Sequence, residues 1–330
     1  MKTLAFTLCS INYLAQARTL GESLQATNPD IRYIVGLVDK LEGVQFEGDK
    51  APPFELLELH RIPVFNRTWM EKEYDITEFN TAVKPFFFQY FFQQYPDYQN
   101  FIYFDPDIIV FTELTHLKAT LDRSTIVLTP HTLRPYPDTC LPNECDLLNS
   151  GTFNLGFVAV RKNAESERFI AWWAEKLAFQ AFNDICHGLF TDQKWINYVP
   201  HYFDGVHILR HRGYNVAYWN LHERTLSRRD DAWYVNDTDA LQFFHFSGYA
   251  ITDPDAISRY QNRYTFTERP DVRPLFDQYA GRMRANHNDY YRGFACAYVK
   301  PARVIRLLRV RKALRRPFEK LRSWLDPYFH

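Results

Sequence analysis

Residues 105–107 read Asp-Pro-Asp and stand between two apolar runs, Phe101–Phe104 and Ile108–Phe111. Buried strands carry few charges, so two carboxylates in the middle of "FIYFDPDIIVF" need a reason. A turn is one. A cation site is the other. Proline disfavours helical geometry for the residue before it and holds Asp105 extended. In extended chain, residues two apart point to the same side, so Asp105 and Asp107 can converge on one ion. Carboxylate oxygens suit Mg²⁺ or Mn²⁺, which commonly keep positions open for phosphate oxygens. A bare D-x-D triplet recurs by accident; its weight here comes from the buried runs on either side.

The elements around the triplet must place it at the end of a strand. A continuous apolar run such as FIYF reads as a central strand of a parallel sheet, and ligands of open α/β sheets bind beyond strand carboxyl ends. TLAFTLC (3–9) reads as a strand, and Tyr13, Ala17, Leu20 and Leu24 recur at helical spacing after it. NPD (28–30) is a turn and IRYIVGLVD (31–39) a second buried strand. Strand, helix, strand within forty residues opens a parallel sheet, so the fold class is α/β. LLELHRI (56–62) fits a third strand, an aromatic-rich helix covers 80–94, another lies near 113–121, and STIVLT (124–129) is a strand. Residues 130–151 hold four prolines and no periodicity, which predicts a long loop. FNLGFVAV (153–160) is a strand, followed by a helix with Asn163 as N-cap and Glu165 and Glu167 in its first turn. VHIL, NVAYWN and LQFFHFSG read as further short strands.

The chain has 330 residues, enough for one large α/β domain or two modest ones. Aromatics stand out, with 28 Phe, 21 Tyr and 7 Trp; rings serve for sugar or base stacking, but most fill cores. Formal net charge is zero, which argues against nucleic acid as partner. Five scattered cysteines complete no zinc set and suit free thiols in a reducing, cytoplasmic setting. No run approaches the ~18 apolar residues of a spanning helix. The first residues imitate a signal peptide, but Thr3, Thr7, Ser10 and Asn12 break the apolar stretch, which favours a buried strand.

"YFDPDIIVF" resembles the Y-[LF]-D-x-D-[IV]-[IL]-V signature of glycosyltransferase family 8 and its relatives, which have the GT-A fold. The likeness continues in order: LCSINYLAQARTLGESL resembles the family's first strand and helix, FNLGFVAV its N-[AS]-G strand, DQKWIN its D-Q-x-x-[LI]-N helix, and HFSG the start of its H-x-x-G-x-x-K. Together these cover residues 3 to about 250. The resemblance implies a catalytic domain over 1–282 in which Asp105, Asp107 and His245 hold Mn²⁺ (or Mg²⁺) against the diphosphate of a nucleotide-sugar, a UDP-sugar above all. It gives Asn154 and Gly156 the N-x-G role, where the amide holds the sugar and the missing side chain makes room; Asn149-Ser150-Gly151 is a rival match. Asp192 would grip sugar hydroxyls and the Gln193 amide would lie near the developing oxocarbenium, with retention of configuration. Read without the family, the same pair is a helix N-terminus capped by Thr191. Likewise His245 is a satisfied histidine at a strand end in the bland reading. Thr7, Asn12 and Tyr13 match the nucleotide end, although Tyr13 also fits the helix's apolar stripe. Gly248 belongs to H-x-x-G, but the lysine that follows in the family is Ile251 here. Lys84, or Arg259 and Arg263, which share a face if their segment is helical, would supply the missing charge; two such arginines are more often a solvated face.

Two rivals remain. A sugar-phosphate nucleotidyltransferase wants a Gly-rich phosphate loop after the first strand, and CSINYLAQ has no glycine. A non-catalytic nucleotide-sugar-binding protein of the same fold would bind without turnover. The acceptor, a glycan or a lipid-linked one, is assigned to loops 63–80 and 130–150. His207 and His211 have zinc-pair spacing but strand-like residues between them. Residues 283–330 are expected to form a basic, helical C-terminal extension. Within it, 300–325 carries ten Lys or Arg against Glu319 alone, with Val304, Leu307, Leu308, Leu314, Phe318, Leu321 and Leu325 at helical spacing. Such a helix lies on anionic membrane or packs on the domain.

Overall fold

The computed structural model describes residues 1–300 and, beyond them, Val310. Its strands are β1 (Lys2–Cys9), β2 (Ile31–Leu37), β3 (Glu55–Glu58), β4 (Tyr98–Phe104), β5 (Ile108–Val110), β6 (Ile126–Pro130), β7 (Phe153–Arg161), β8 (Asn183–Asp184), β9 (Leu189–Phe190), β10 (Val206–Ile208), β11 (Leu226–Arg229), β12 (Ala232–Val235), β13 (Asp239–Ala240) and β14 (Phe243–His245). The helices are α1 (Leu14–Thr27), α2 (Arg67–Glu73), α3 (Ile76–Ala82), α4 (Lys84–Gln94), α5 (Thr115–Leu121), α6 (Glu144–Ser150), α7 (Ala164–Gln180), α8 (Val199–Tyr202), α9 (Arg273–Ala285) and α10 (Asn288–Arg292).

Seven strands form the central sheet in the order β10-β6-β7-β4-β1-β2-β3. Only β7 runs against its neighbours β4 and β6; the other pairings are parallel. The α/β class is as the sequence predicts. The continuous apolar strands arise because both sheet faces are covered. One face packs α1, α5, α9 and α10 through Leu20, Leu117, Phe276 and Tyr291. The other packs α2, α3, α4 and α7 through Met70, Phe79, Phe87, Phe91 and Trp173. The excess aromatics sit largely here: Phe6 meets Phe88, Phe91 and Tyr103 at centroid distances of 4.8, 4.9 and 5.3 Å.

Several local expectations change. The predicted helix over 80–94 is two helices, α3 and α4, with Pro85 in the first turn of α4, where its missing N–H costs nothing. The 130–151 segment ends in α6, started by a capping box between Asn143 and Asp146. NVAYWN is a 3₁₀ turn with a single bridge from Val216 to Phe244, not a strand. Thr191 caps no helix: it adopts a left-handed conformation (φ 46°) before a 3₁₀ turn at Lys194–Tyr198. The segment of Arg259 and Arg263 is not helical, 256–270 being irregular, so their i, i+4 spacing gives no shared helix face. The expected boundary at 282/283 falls inside α9, and Met283 and Tyr291 are buried in the main core. Asp39, just past β2, accepts backbone N–H bonds from Ile11 and Ala297, which ties the chain down to that point. The basic segment 300–325 lies outside the described residues except Lys300 and Val310. Among the described residues no helix is long and apolar enough to cross a membrane.

Candidate metal and donor site

Six of the seven central strands point their carboxyl ends to one edge of the sheet, where β7 begins. Asp105 leaves β4 at this edge, and its backbone N–H donates to Gly156 O of β7 at 2.7 Å. Three residues on, the chain enters β5, which pairs antiparallel with β14 and sets His245 opposite Ile108. Phe246 N–H then donates to Asp107 O at 2.9 Å. This second, two-stranded sheet brings a histidine from 138 residues away onto the carboxylate pair. His245 Nε2 lies 3.0 Å from Asp107 Oδ1 and 3.7 Å from Asp105 Oδ2.

Among the described residues, Asp105, Asp107 and His245 form the only group of three metal-ligating side chains, their ligand atoms within 4.8 Å of one another. Two carboxylates and an imidazole are a donor set for a first-row divalent ion or Mg²⁺. Electrostatics agree. Burial raises the Asp105 carboxyl above its usual range, against the opposing charges of Lys84 and His245. Burial alone would lower the His245 pKa, but Asp107 and Asp105 outweigh it and raise it. A cation among these groups would neutralise the two carboxylates and replace the imidazole proton.

Gly156 explains why the ligands fit. A Cβ there would collide with the His245 ring and lie 2.8 Å from Asp105 Oδ2. The room its missing side chain makes is filled by the His245 ring and the Asp105 carboxylate, where the resemblance implies space for sugar. Gly248 has φ 74°, which favours glycine, and its O accepts the Arg259 N–H at 3.2 Å.

Asp192 reaches the same edge, where Lys84 Nζ donates to its Oδ2 at 2.6 Å and to Leu155 O at 2.9 Å. Both side chains are almost wholly buried. Lys84 also lies over the Tyr103 ring at 4.0 Å, and Tyr103 Oη donates to Asp105 Oδ1 at 2.6 Å. Lys84 is therefore no free phosphate ligand: it holds Asp192 in place. Gln193 spends its amide on backbone, with Oε1 accepting from Leu155 N and Nε2 donating to Ser150 O. It thus touches both rival sugar motifs, Asn149-Ser150-Gly151 and Asn154–Gly156. Asn154 Oδ1 accepts from Gly156 N and from Asn215 Nδ2, and its Nδ2 faces His131 Nε2 at 3.3 Å.

At the nucleotide end, Tyr13 is 41% exposed, so the apolar-stripe reading fails and the ring stands open. Asn12 is half-buried and accepts from Ser10 Oγ. Thr7 is fully enclosed in β1 with its hydroxyl unpaired, so it reaches no ligand in this conformation. Arg263 is also withdrawn. Its guanidinium pairs with Asp138 at 2.9 Å, donates to Cys140 O and Pro142 O, and stacks on Tyr136, fastening the 136–142 loop. Arg259 instead donates to Tyr260 Oη at 2.6 Å and has Tyr13 among its charged and polar neighbours. His207 lies on β10 and His211 beyond it, where His211 Nδ1 accepts from Gly213 N.

The sequence reading missed Tyr103, Trp219, His131 and Asn215. Tyr103 had a signal, being two residues before Asp105 on the same strand. Trp219 sets its ring edgewise between His245 and His131, at 5.2 and 5.3 Å. His131 and Asn215 join Asn154 in a buried network that no spacing announces.

No protein-family model matches the chain. It is 24% identical over 283 residues to the uncharacterized protein YfnF of Bacillus subtilis (strain 168), covering 82% of this chain and 89% of that one. A second uncharacterized protein of that organism, YfnD, is 26% identical over 180 residues, 53% of this chain and 54% of its own length. Among solved structures, the chain is similar to the glycosyltransferase GlyE of Streptococcus pneumoniae TIGR4, with TM-score 0.46 and 14% identity over 88% of this chain and 64% of GlyE. It is similar to the galactosyltransferase LgtC in complex with donor and acceptor sugar analogs, with TM-score 0.45 and 15% identity over 84% and 95% of the two chains. The bifunctional glycosyltransferase WbbM gives TM-score 0.49 and 13% identity over 88% of this chain and 51% of its own. These three solved structures are glycosyltransferases.

Proposed function

We propose that the chain transfers a hexose from a nucleotide-sugar, a UDP-sugar by its motifs, to a glycan or lipid-linked acceptor, with retention of configuration, at the cytoplasmic face. The observation that carries this is the Asp105–Asp107–His245 group at the carboxyl edge of the sheet. A bound Mn²⁺ or Mg²⁺ would supply Lewis-acid stabilisation of the leaving diphosphate.

The chain's own residues account for the rest. Asp105, Asp107 and His245 hold the ion, and Tyr103 fixes Asp105 by its hydrogen bond. The buried Lys84 ammonium pairs with Asp192 and holds it at the edge, where a carboxylate can accept from sugar hydroxyls. Gln193 lies beside it, at the developing oxocarbenium. Three cations were candidates for the diphosphate charge that Ile251 leaves unsupplied. Lys84 is committed to the buried Asp192 and the buried Arg263 guanidinium to Asp138, which leaves Arg259, next to the open Tyr13 ring, for the phosphate and base end of the donor. Charge placed where negative charge grows in the transition state lowers the barrier.

The test is a screen of UDP-, GDP- and dTDP-sugars for Mn²⁺-dependent hydrolysis, with Asp107→Ala beside the wild type. Turnover that Asp107→Ala abolishes is expected. Metal-independent binding without turnover would point instead to a non-catalytic binding protein. NMR of the first-formed product reads the anomeric centre: retention is expected, and an inverted product would remove the assignment of Asp192 and Gln193.

A further inference from the structure

A chain of aromatic rings leads outward from His245, and its last member is open. Trp219 stands edgewise to His245 at 5.2 Å, and Tyr218 stands edgewise to Trp219 at 5.0 Å. Tyr260 lies 6.3 Å from Tyr218, the two rings tilted by 37°. Tyr218 is half-buried, whereas Tyr260 is 49% exposed. Gly248, three residues after His245, makes room for the Tyr260 ring: a Cβ there would lie 2.5 Å from Tyr260 Cδ2 and 2.9 Å from Cε2. The segment that carries Tyr260 is fastened on both sides. Tyr260 N–H donates to Ser258 Oγ at 3.2 Å and Arg259 donates to Tyr260 Oη. Two residues on, Asn262 and Leu141 exchange two bonds, Asn262 N to Leu141 O at 3.2 Å and Leu141 N to Asn262 Oδ1 at 2.7 Å. An exposed ring is therefore held in place beside the candidate metal ligands.

The neighbouring wall is α6, and it is polar. Half-buried Asp146 is among the charged neighbours of the Tyr218 hydroxyl, together with Tyr136 and Tyr260. Its Oδ2 accepts from Asn143 N at 2.9 Å, and a carboxylate has capacity for several more donors. Asp146 O accepts from Ser150 Oγ at 2.8 Å, and Ser150 O from Gln193 Nε2 at 2.9 Å, so this wall runs on to Gln193. An aromatic face bordered by hydroxyls and a carboxylate suits a neutral pyranose, whose C–H face lies on the ring while its hydroxyls donate to the oxygens. Like charge disfavours a diphosphate at Asp146, whereas the Arg259 guanidinium next to Tyr13 favours one. The two sides of Tyr260 thus suit different parts of a transfer reaction.

We propose that Tyr260, flanked by Tyr218 and Asp146, is a saccharide subsite that stacks a neutral pyranose of the acceptor beside the Asp105–Asp107–His245 group. That the bound sugar is an acceptor rests on the transferase reading; saccharide binding at Tyr260 does not.

The probes are methyl β-glycosides of glucose, galactose and N-acetylglucosamine, with saturation-transfer NMR on the full chain reading their Kd. Wild type should transfer saturation to the ring protons of at least one of them. Tyr260→Ala should raise the Kd of that glycoside about tenfold, and Tyr260→Phe should restore it. Both variants give up the Arg259 bond to Tyr260 Oη, so a difference between them reports the ring alone. In hydrolysis of the UDP-sugar that wild type turns over, with Mn²⁺ and no glycoside, the two variants should share one KM. Wild type that binds none of the glycosides, or Tyr260→Ala that binds as tightly as Tyr260→Phe, overturns the proposal. So does a UDP-sugar KM that differs between the two variants, because the ring would then hold the donor. Glycoside binding that depends on the ring, with no sugar transfer, would instead remove the transferase reading and leave the saccharide site.

Discussion

Gly156 shows how one missing atom shapes the candidate metal site. Its missing Cβ is the space in which the His245 ring and Asp105 Oδ2 meet. Gly156→Ala should cost about 1–3 kcal/mol in stability, as overpacking does, and abolish Mn²⁺-dependent turnover. Calorimetry of Mn²⁺ binding checks it, since an unchanged affinity would mean the ligands are not held by this contact. The arginines give a contrast at the same scale. Arg259→Ala should weaken UDP binding at least tenfold with the fold intact. Arg263→Ala strips Asp138 and the 136–142 loop of their buried cation and should lower the melting temperature first. Equal loss of UDP affinity in both variants would contradict the division of roles.

Lys84 begins α4, and Asp192 follows β9, so their ion pair joins a helix end to the turn after that hairpin. Removing one member leaves the other charged and buried. Lys84→Met should therefore destabilise by about 3–5 kcal/mol, and adding Asp192→Leu should restore much of that without restoring activity. Urea unfolding of the single and double variants measures the coupling; simple additivity would show that the two charges act separately. The pairing of β5 with β14 has the same logic. Each strand is three residues long, too short to be stable alone, and their joint product is the contact of Asp107 with His245.

For the molecule as a whole, ligand and proton linkage give two further tests. UDP with Mn²⁺ at about a hundred times Kd should stabilise the fold by about 2.7 kcal/mol, a rise of a few degrees in Tm, and chelation should reverse it. His131 reports on the buried network. Burial, with His245 nearby, lowers its pKa from 6.5 to about 4. The folded state resists protonation, so stability is full above the unfolded value and falls as pH drops from 6.5 toward about 4. The loss is on the order of 3 kcal/mol. The urea midpoint of His131→Gln should decline less than that of wild type over this range; parallel declines would show that His131 protonates freely when folded.

What the sequence determined by itself was the class and the place. Buried apolar runs with a proline-held acid pair at their junction mark a parallel strand ending in a candidate cation site, because strand periodicity and proline geometry are local properties. Asp105, Asp107 and His245 were legible for that reason and by likeness to a known motif order. Segment 130–151 was not: its α6 depends on a capping box that proline-rich composition concealed. Nor could spacing tell the cations apart. Lys84, Arg259 and Arg263 are alike as letters, and only packing buries the first against Asp192 and the third against Asp138. The contact of Phe65 with Phe179 was equally hidden, since two phenylalanines 114 residues apart meet only after α7 has carried one to the other. Local rules assign elements; whether a charge is spent or free is decided by partners distant in the chain.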